Sequence, residues 1–153
     1  MSSFFVKDNQ IVNLQNVSTI KLHREKNRII FNLNYSIKIE RNGTEKLRAD
    51  YVYWDFDDTK TLDDIFYKLS KARFVKDNFI DLRYGGILVN KASISSIKLE
   101  LSTNRLIFNL NNLRDFSNPK AGIHTTSDFF FIDYVTAEQA KEMYNSIIET
   151  LVK

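Results

Sequence analysis

VSTIKLHREKNRIIFNLN, residues Val17 to Asn34, and ISSIKLELSTNRLIFNLN, residues Ile94 to Asn111, are two versions of one phrase. Eleven of the eighteen positions are identical at a shift of 77, where chance gives about one. The register extends outward from there. Ile11-Val12-Asn13 matches Leu88-Val89-Asn90 at the same shift. Asp55-Phe56 matches Asp133-Tyr134, and Ile65-Phe66 matches Met143-Tyr144, at 78, with the extra residue falling between Asn111 and Asp128. The chain therefore reads as two tandem, pseudo-symmetric copies, 1–71 and 72–153, within one compact domain. Phe74-Val-Lys-Asp-Asn78 echoes Phe5-Val-Lys-Asp-Asn9 outside this register, and is read as coincidence or the trace of an older register.

Each copy yields the same elements. In the first, 3–7 and 10–14 form a hairpin around Asp8-Asn9, and Gly85-Gly86 supplies that turn in the second. Residues 17–24 form the next strand. From 28 to 40 the residues alternate: Ile29, Phe31, Leu33, Tyr35, Ile37 and Ile39 share one face, a strong period-two signal. Asn42-Gly43 turns the chain into 45–56, where Val52, Trp54 and Phe56 point inward. The period then changes. Leu62, Ile65, Phe66 and Leu69 make a helical stripe capped by Asp57, Asp58 or Thr59. Thr136 to Gln139 fits a capping box in the second copy. The expected fold is α+β, each repeat a four-stranded, meander-like antiparallel sheet followed by one α-helix. Neither small core stands comfortably alone, so the copies are expected to pack as a pseudo-dimer within one chain.

The chain has 153 residues, a formal charge of +3 and no cysteine. Disulfides, zinc–thiolate sites and cysteine nucleophiles are excluded. The N-terminus lacks the pattern of a signal peptide, and no apolar run reaches the roughly 18 residues of a membrane helix. The expectation is a cytoplasmic protein without a membrane partner.

No catalytic, metal or cofactor motif stands out. His23 and His124 are not repeat-equivalent, and both read as surface histidines. The acidic cluster Asp55, Asp57, Asp58, Asp63 and Asp64 reads as helix capping and a solvated first turn, since the second copy keeps only Asp133 there. No nucleophile elbow or phosphate loop is present. Residues 112–127, with the chain's one proline, Pro119, read as an irregular loop in place of the first copy's hairpin, either a loop that carries function or a drifted hairpin.

The outward sheet faces carry chemistry. Tyr51 and Tyr53 alternate away from the core, and Phe129 and Phe131 are their equivalents. Lys21, Arg28, Lys38, Arg48, Lys98 and Arg105 lie near in sequence pattern. Aromatics interleaved with cations suit single-stranded nucleic acid, which stacks its bases and needs its phosphates neutralised. The other reading of these aromatics is core, buried where two sheets meet. Two tandem units of strands followed by one helix resemble the PUR-repeat and Whirly group. That resemblance covers the whole chain through element order and implies single-stranded DNA or RNA binding on the sheets; with no catalytic motif in the sequence, the expected function is non-enzymatic binding. Val-Ser-Thr-Ile-Lys-Leu followed by a strand is also similar to bacterial pleckstrin-like modules, which implies the alternative: a protein-interaction module or inhibitor.

Overall fold

The structure, a computed structural model, describes residues 2–82, 86–118, 120 and 122–152. It opens with β1 (Phe4–Lys7) and β2 (Gln10–Asn13), antiparallel with Lys7 opposite Gln10. Asp8 and Asn9 therefore make a two-residue turn, with Asp8 at φ +50°. β3 (Val17–His23), β4 (Arg28–Arg41) and β5 (Thr44–Asp55) follow, then α1 (Thr59–Lys71) and a short α2 (Arg73–Asn78). The second half runs β6 (Phe79–Asp81), β7 (Ile87–Asn90), β8 (Ile94–Glu100), β9 (Arg105–Asn118), β10 (Gly122–Asp133) and α3 (Ala137–Val152).

The fold is α+β, but the described strands are not grouped as one four-stranded sheet per repeat. They form a two-stranded sheet β1-β2, a five-stranded sheet β5-β4-β3-β7-β6 and a three-stranded sheet β10-β9-β8. The reason is an exchange: β7, from the second repeat, pairs with β3, from the first, with Thr19 opposite Val89 and Lys21 opposite Ile87. The chain forms two compact units, and these do not follow the repeat boundary. One is Met1–Tyr35 with Ala49–Ser93, the other Ser36–Arg48 with Ile94–Lys153.

In the first unit the core gathers Val12, Leu14, Ile20, Ile29, Phe31 and Trp54 under Leu62 and Leu69 of α1. Trp54 lies 5.8 Å from Phe5 in a stacked pair and 4.9 Å from Phe31 edge-on. Asp58 caps α1, accepting the Thr61 N–H at 2.7 Å. Phe31 closes the buried part of the β4 stripe; Leu33 is half-buried, Tyr35 is exposed, and its hydroxyl donates to Asp50. In the second unit Leu106, Phe108, Leu110 and Ile132 of the sheet are buried, with Ala140 and Ile147 of α3. The Phe108 and Phe130 rings stack at 4.8 Å. The Thr136 Oγ1 caps α3 through the Gln139 N–H at 3.1 Å.

One expectation changes. Residues 112–127 are not an irregular loop: β9 and β10 continue through them as a long hairpin, paired from Asn118 opposite Gly122. Pro119 lies outside the described residues. Its neighbours read as loop because Thr125, Thr126 and Ser127 leave neither face apolar. The expected Gly85-Gly86 turn falls partly outside the described residues, which exclude Gly85; Gly86 has φ +62°.

The identities in the repeated phrase now have physical causes. Asn27 and Asn104 occupy left-handed backbone at φ 49° and 55°, a conformation asparagine tolerates. Ser18 and Ser95 sit at matching bulges, each hydroxyl donating to a β4 or β9 carbonyl, of Asn32 at 3.1 Å and of Asn109 at 3.0 Å. Asn32 and Asn109 each donate across the sheet at 2.9 Å, to Thr19 and to Ser96.

Candidate nucleic-acid interface

Successive residues of a strand point to opposite faces. Phe129, Phe131 and Asp133 of β10 therefore share one face. The register places Asn109, Ile107 and Arg105 of β9 opposite them, with Ser96, Lys98 and Glu100 of β8 beyond. A register shift between Ser127 and Phe129 re-aims the strand there. The Phe116 ring stacks on Phe129 at 5.1 Å, and the Arg114 guanidinium sits 5.0 Å over Phe116. At the other end Arg105 lies 3.8 Å over Phe131. Phe116, Phe129 and Phe131 thus lie along the hairpin as an aromatic ladder, with Arg105 at its far end and Arg114 alongside, between Phe116 and Phe129 in register and 3.7 Å from Asp128.

The first unit holds a shorter counterpart. Tyr51 and Tyr53 stack at 6.1 Å, and Arg28 sits 3.9 Å over Tyr53. Lys21 stands in the same sheet, opposite Ile30 and Ile87. Tyr51, Tyr53, Phe129 and Phe131 are 36–45% exposed, so these rings are not buried core.

The arginines have a second tie that the sequence reading did not contain. Arg28 forks onto Asp55 at 2.7 and 3.1 Å, and Arg105 onto Asp133 at 2.7 and 3.3 Å. The Arg28 hydrogen bond holds the Asp55 carboxyl below the usual carboxylate range. Much of the positive charge at Arg28 and Arg105 is therefore offset within the chain. Their repetition follows from this fork and from the aromatic ring beneath each guanidinium.

Lys38 and Arg48 belong to the second unit. Lys38 is exposed on β4. Arg48 lines a groove of about 560 Å³ with Arg41, Lys46, Ile39 and Ile123, and no carboxylate is among the described residues that line it. Asp115 accepts from Thr125 and from the Leu47 N–H, which hold its carboxyl below the usual range. Ser117 of the groove is the strand neighbour of Phe116, so groove and ladder open on opposite faces of the β9–β10 hairpin.

The ten sequence candidates thus divide by unit. Lys21, Arg28, Tyr51 and Tyr53 lie in the first, and Lys38, Arg48, Lys98, Arg105, Phe129 and Phe131 in the second. Arg114 and Phe116 were missed because their segment read as a loop; their two-residue spacing was the available signal. His124 pairs with Phe116 on the neighbouring strand, and His23 lies 4.0 Å from Glu25. The acidic cluster is occupied structurally: Asp55 holds Arg28, Asp58 caps α1, and Asp63 accepts from Arg24 at 2.6 Å. Among the described residues no three His, Cys, Asp or Glu side chains converge to hold a metal, and no helix is long and apolar enough to cross a membrane. Comparison with known protein families, curated proteins and solved structures gives no match to this chain.

Proposed function

We propose that the protein is a non-enzymatic binder of single-stranded nucleic acid, with the β9–β10 ladder as its principal contact. The ladder is the observation that carries this reading. Exposed aromatic rings in a row accept successive bases without regard to sequence, because every base has a π face. Arg114 stands over Phe116 within the row, 3.7 Å from Asp128, and Lys98 stands two strands across from Phe131. The cationic groove of Arg41, Lys46 and Arg48 suits phosphates of a strand that continues round the hairpin. The resemblance of the element order, strands followed by a helix in each copy, to the PUR-repeat and Whirly group favours the same reading. Fluorescence anisotropy with labelled single-stranded and duplex oligonucleotides tests it. Binding is expected to favour single strands and to weaken with salt, with a log–log slope of about −1.4 to −2.1 for two or three neutralised phosphates. Equal affinity for duplex, or affinity indifferent to salt, contradicts it.

The second reading, a protein-interaction module, is favoured by the Arg28–Asp55 and Arg105–Asp133 forks, which bring the aromatic faces closer to neutrality. A partner recovered from the source cell that survives nuclease treatment, in a protein that does not bind oligonucleotides, supports that reading.

A further inference from the structure

The repeat makes each half a template for the other, and among the described residues two strands lack the partner that their counterparts have. β3 is bonded on both edges, by β4 and by β7. Its counterpart β8 is bonded by β9 and ends its sheet among the described residues. Where β7 covers β3, Ser18 and Thr19 are buried; the equivalent Ser95 and Ser96 are exposed. The second case is the hairpin itself. β7 is bonded by both β6 and β3, but among the described residues its counterpart β2 is bonded by β1 alone.

The two hairpins share one internal register. Phe4 lies opposite Asn13 as Phe79 lies opposite Asn90, and Phe5 opposite Val12 as Ile80 opposite Val89. Their exposures differ sharply. Leu88 is 1% exposed and its equivalent Ile11 is 66% exposed; Phe79 is 5% exposed and Phe4 is 56%. Asn90 uses its Oδ1 to cap the Ala92 N–H at 3.0 Å and its Nδ2 to donate to the Val17 carbonyl at 2.9 Å. Asn13 repeats the cap, to the Gln15 N–H at 3.1 Å, and its Nδ2 makes no equivalent bond among the described residues. The carbonyl equivalent to that of Val17 belongs to Ile94, at the head of β8. Beside β8, α3 leaves Ile148, Leu151 and Val152 exposed.

We propose that the chain associates head to tail, with the β1–β2 hairpin of one copy adding to the β8 edge of the next as β7 adds to β3. The occupant is a second copy because the chain carries both halves of the contact. The β3–β7 register transfers directly: Val12 opposite Ser96, Ile11 opposite Ile97 and Gln10 opposite Lys98, with Asn13 Nδ2 on the Ile94 carbonyl. Main-chain bonds to an open edge supply affinity, and alternate side chains fix register. Phe4 and Ile11 leave water against the α3 side of β8. The contact is heterologous, so it closes into a ring or extends as a filament.

Light scattering behind size exclusion, from low micromolar to near-millimolar protein, reads the result. The wild type is expected to exceed the monomer mass of 18.0 kDa with rising concentration. Ile11→Lys alters an exposed residue, so it should keep the wild-type circular dichroism while weakening association at least tenfold. Ile97→Lys should do the same from the β8 side. Mixing the two variants should restore a one-to-one dimer, since each retains the half that the other lacks. A wild type that stays monomeric throughout overturns the proposal. So does an oligomer indifferent to Ile11→Lys, or a β8 edge whose amides gain protection only with a different protein.

Discussion

Trp54→Ala should unfold the first unit at a denaturant concentration where the wild type is intact. Trp54 is buried between Phe5 and Phe31, with ring centroids at 5.8 and 4.9 Å. An indole of this kind removes on the order of 200 Å² from water. At about 25 cal/mol per Å², that burial is worth about 5 kcal/mol. Alanine retains part of it and leaves a cavity, so the expected loss is about 3–5 kcal/mol. Domains of this size have only about 5–15 kcal/mol in total. The assay is urea unfolding followed by far-UV circular dichroism, because the substitution removes the chain's single tryptophan and its fluorescence. Tyr67→Ala, at an exposed position beside Lys71, is the control; it should shift stability by about 0.5 kcal/mol or less. A Trp54→Ala loss below about 1 kcal/mol would refute the core described here, because no well-packed indole is removed that cheaply.

Phe129→Ala should weaken oligonucleotide binding by about 1–3 kcal/mol, roughly 5- to 150-fold, with its melting temperature nearly unchanged; an equal loss of stability would return the ring to the core. Gly86→Ala should destabilise by more than about 1 kcal/mol in thermal melts, since its φ is +62° and a Cβ there meets Leu22 Cβ at 2.7 Å. Asp58 has its carboxyl lowered by the Thr61 N–H. A lowered folded-state value stabilises above the unfolded carboxylate value of about 3.9 and is lost as pH falls through the folded one. Asp58→Ala should therefore melt below the wild type at neutral pH, and the gap should close toward about pH 2.

Much of the fold was legible because periodicity survives divergence. The Ile29–Phe31 alternation, the Leu62 to Leu69 stripe and the Asn42-Gly43 turn all report local physics, and each stands where expected, with Asn42 and Gly43 at φ 52° and 75°. Strand partnership was not legible. Nothing local distinguishes β7 pairing with β3 from β7 pairing within its own repeat. The pentapeptide Phe-Val-Lys-Asp-Asn makes the same point: at 5–9 it is strand and turn, and at 74–78 it lies in α2. At 5–9 the hairpin packs Phe5 on Trp54, while at 74–78 the segment follows α1 directly and buries Val75. At the candidate site, the outward aromatics were readable from alternation. The Arg28–Asp55 fork was not, because it joins residues 27 apart in sequence. The Phe116–Phe129 stack was hidden by a hairpin whose polar residues fall on both faces.

The most direct test of the binding account is a titration of a labelled single-stranded oligonucleotide at low salt with the wild type and with Phe129→Ala/Phe131→Ala. The account predicts micromolar binding by the wild type, and its loss in a double variant that keeps the wild-type circular dichroism. No binding by the wild type, or undiminished binding by the folded double variant, would contradict it.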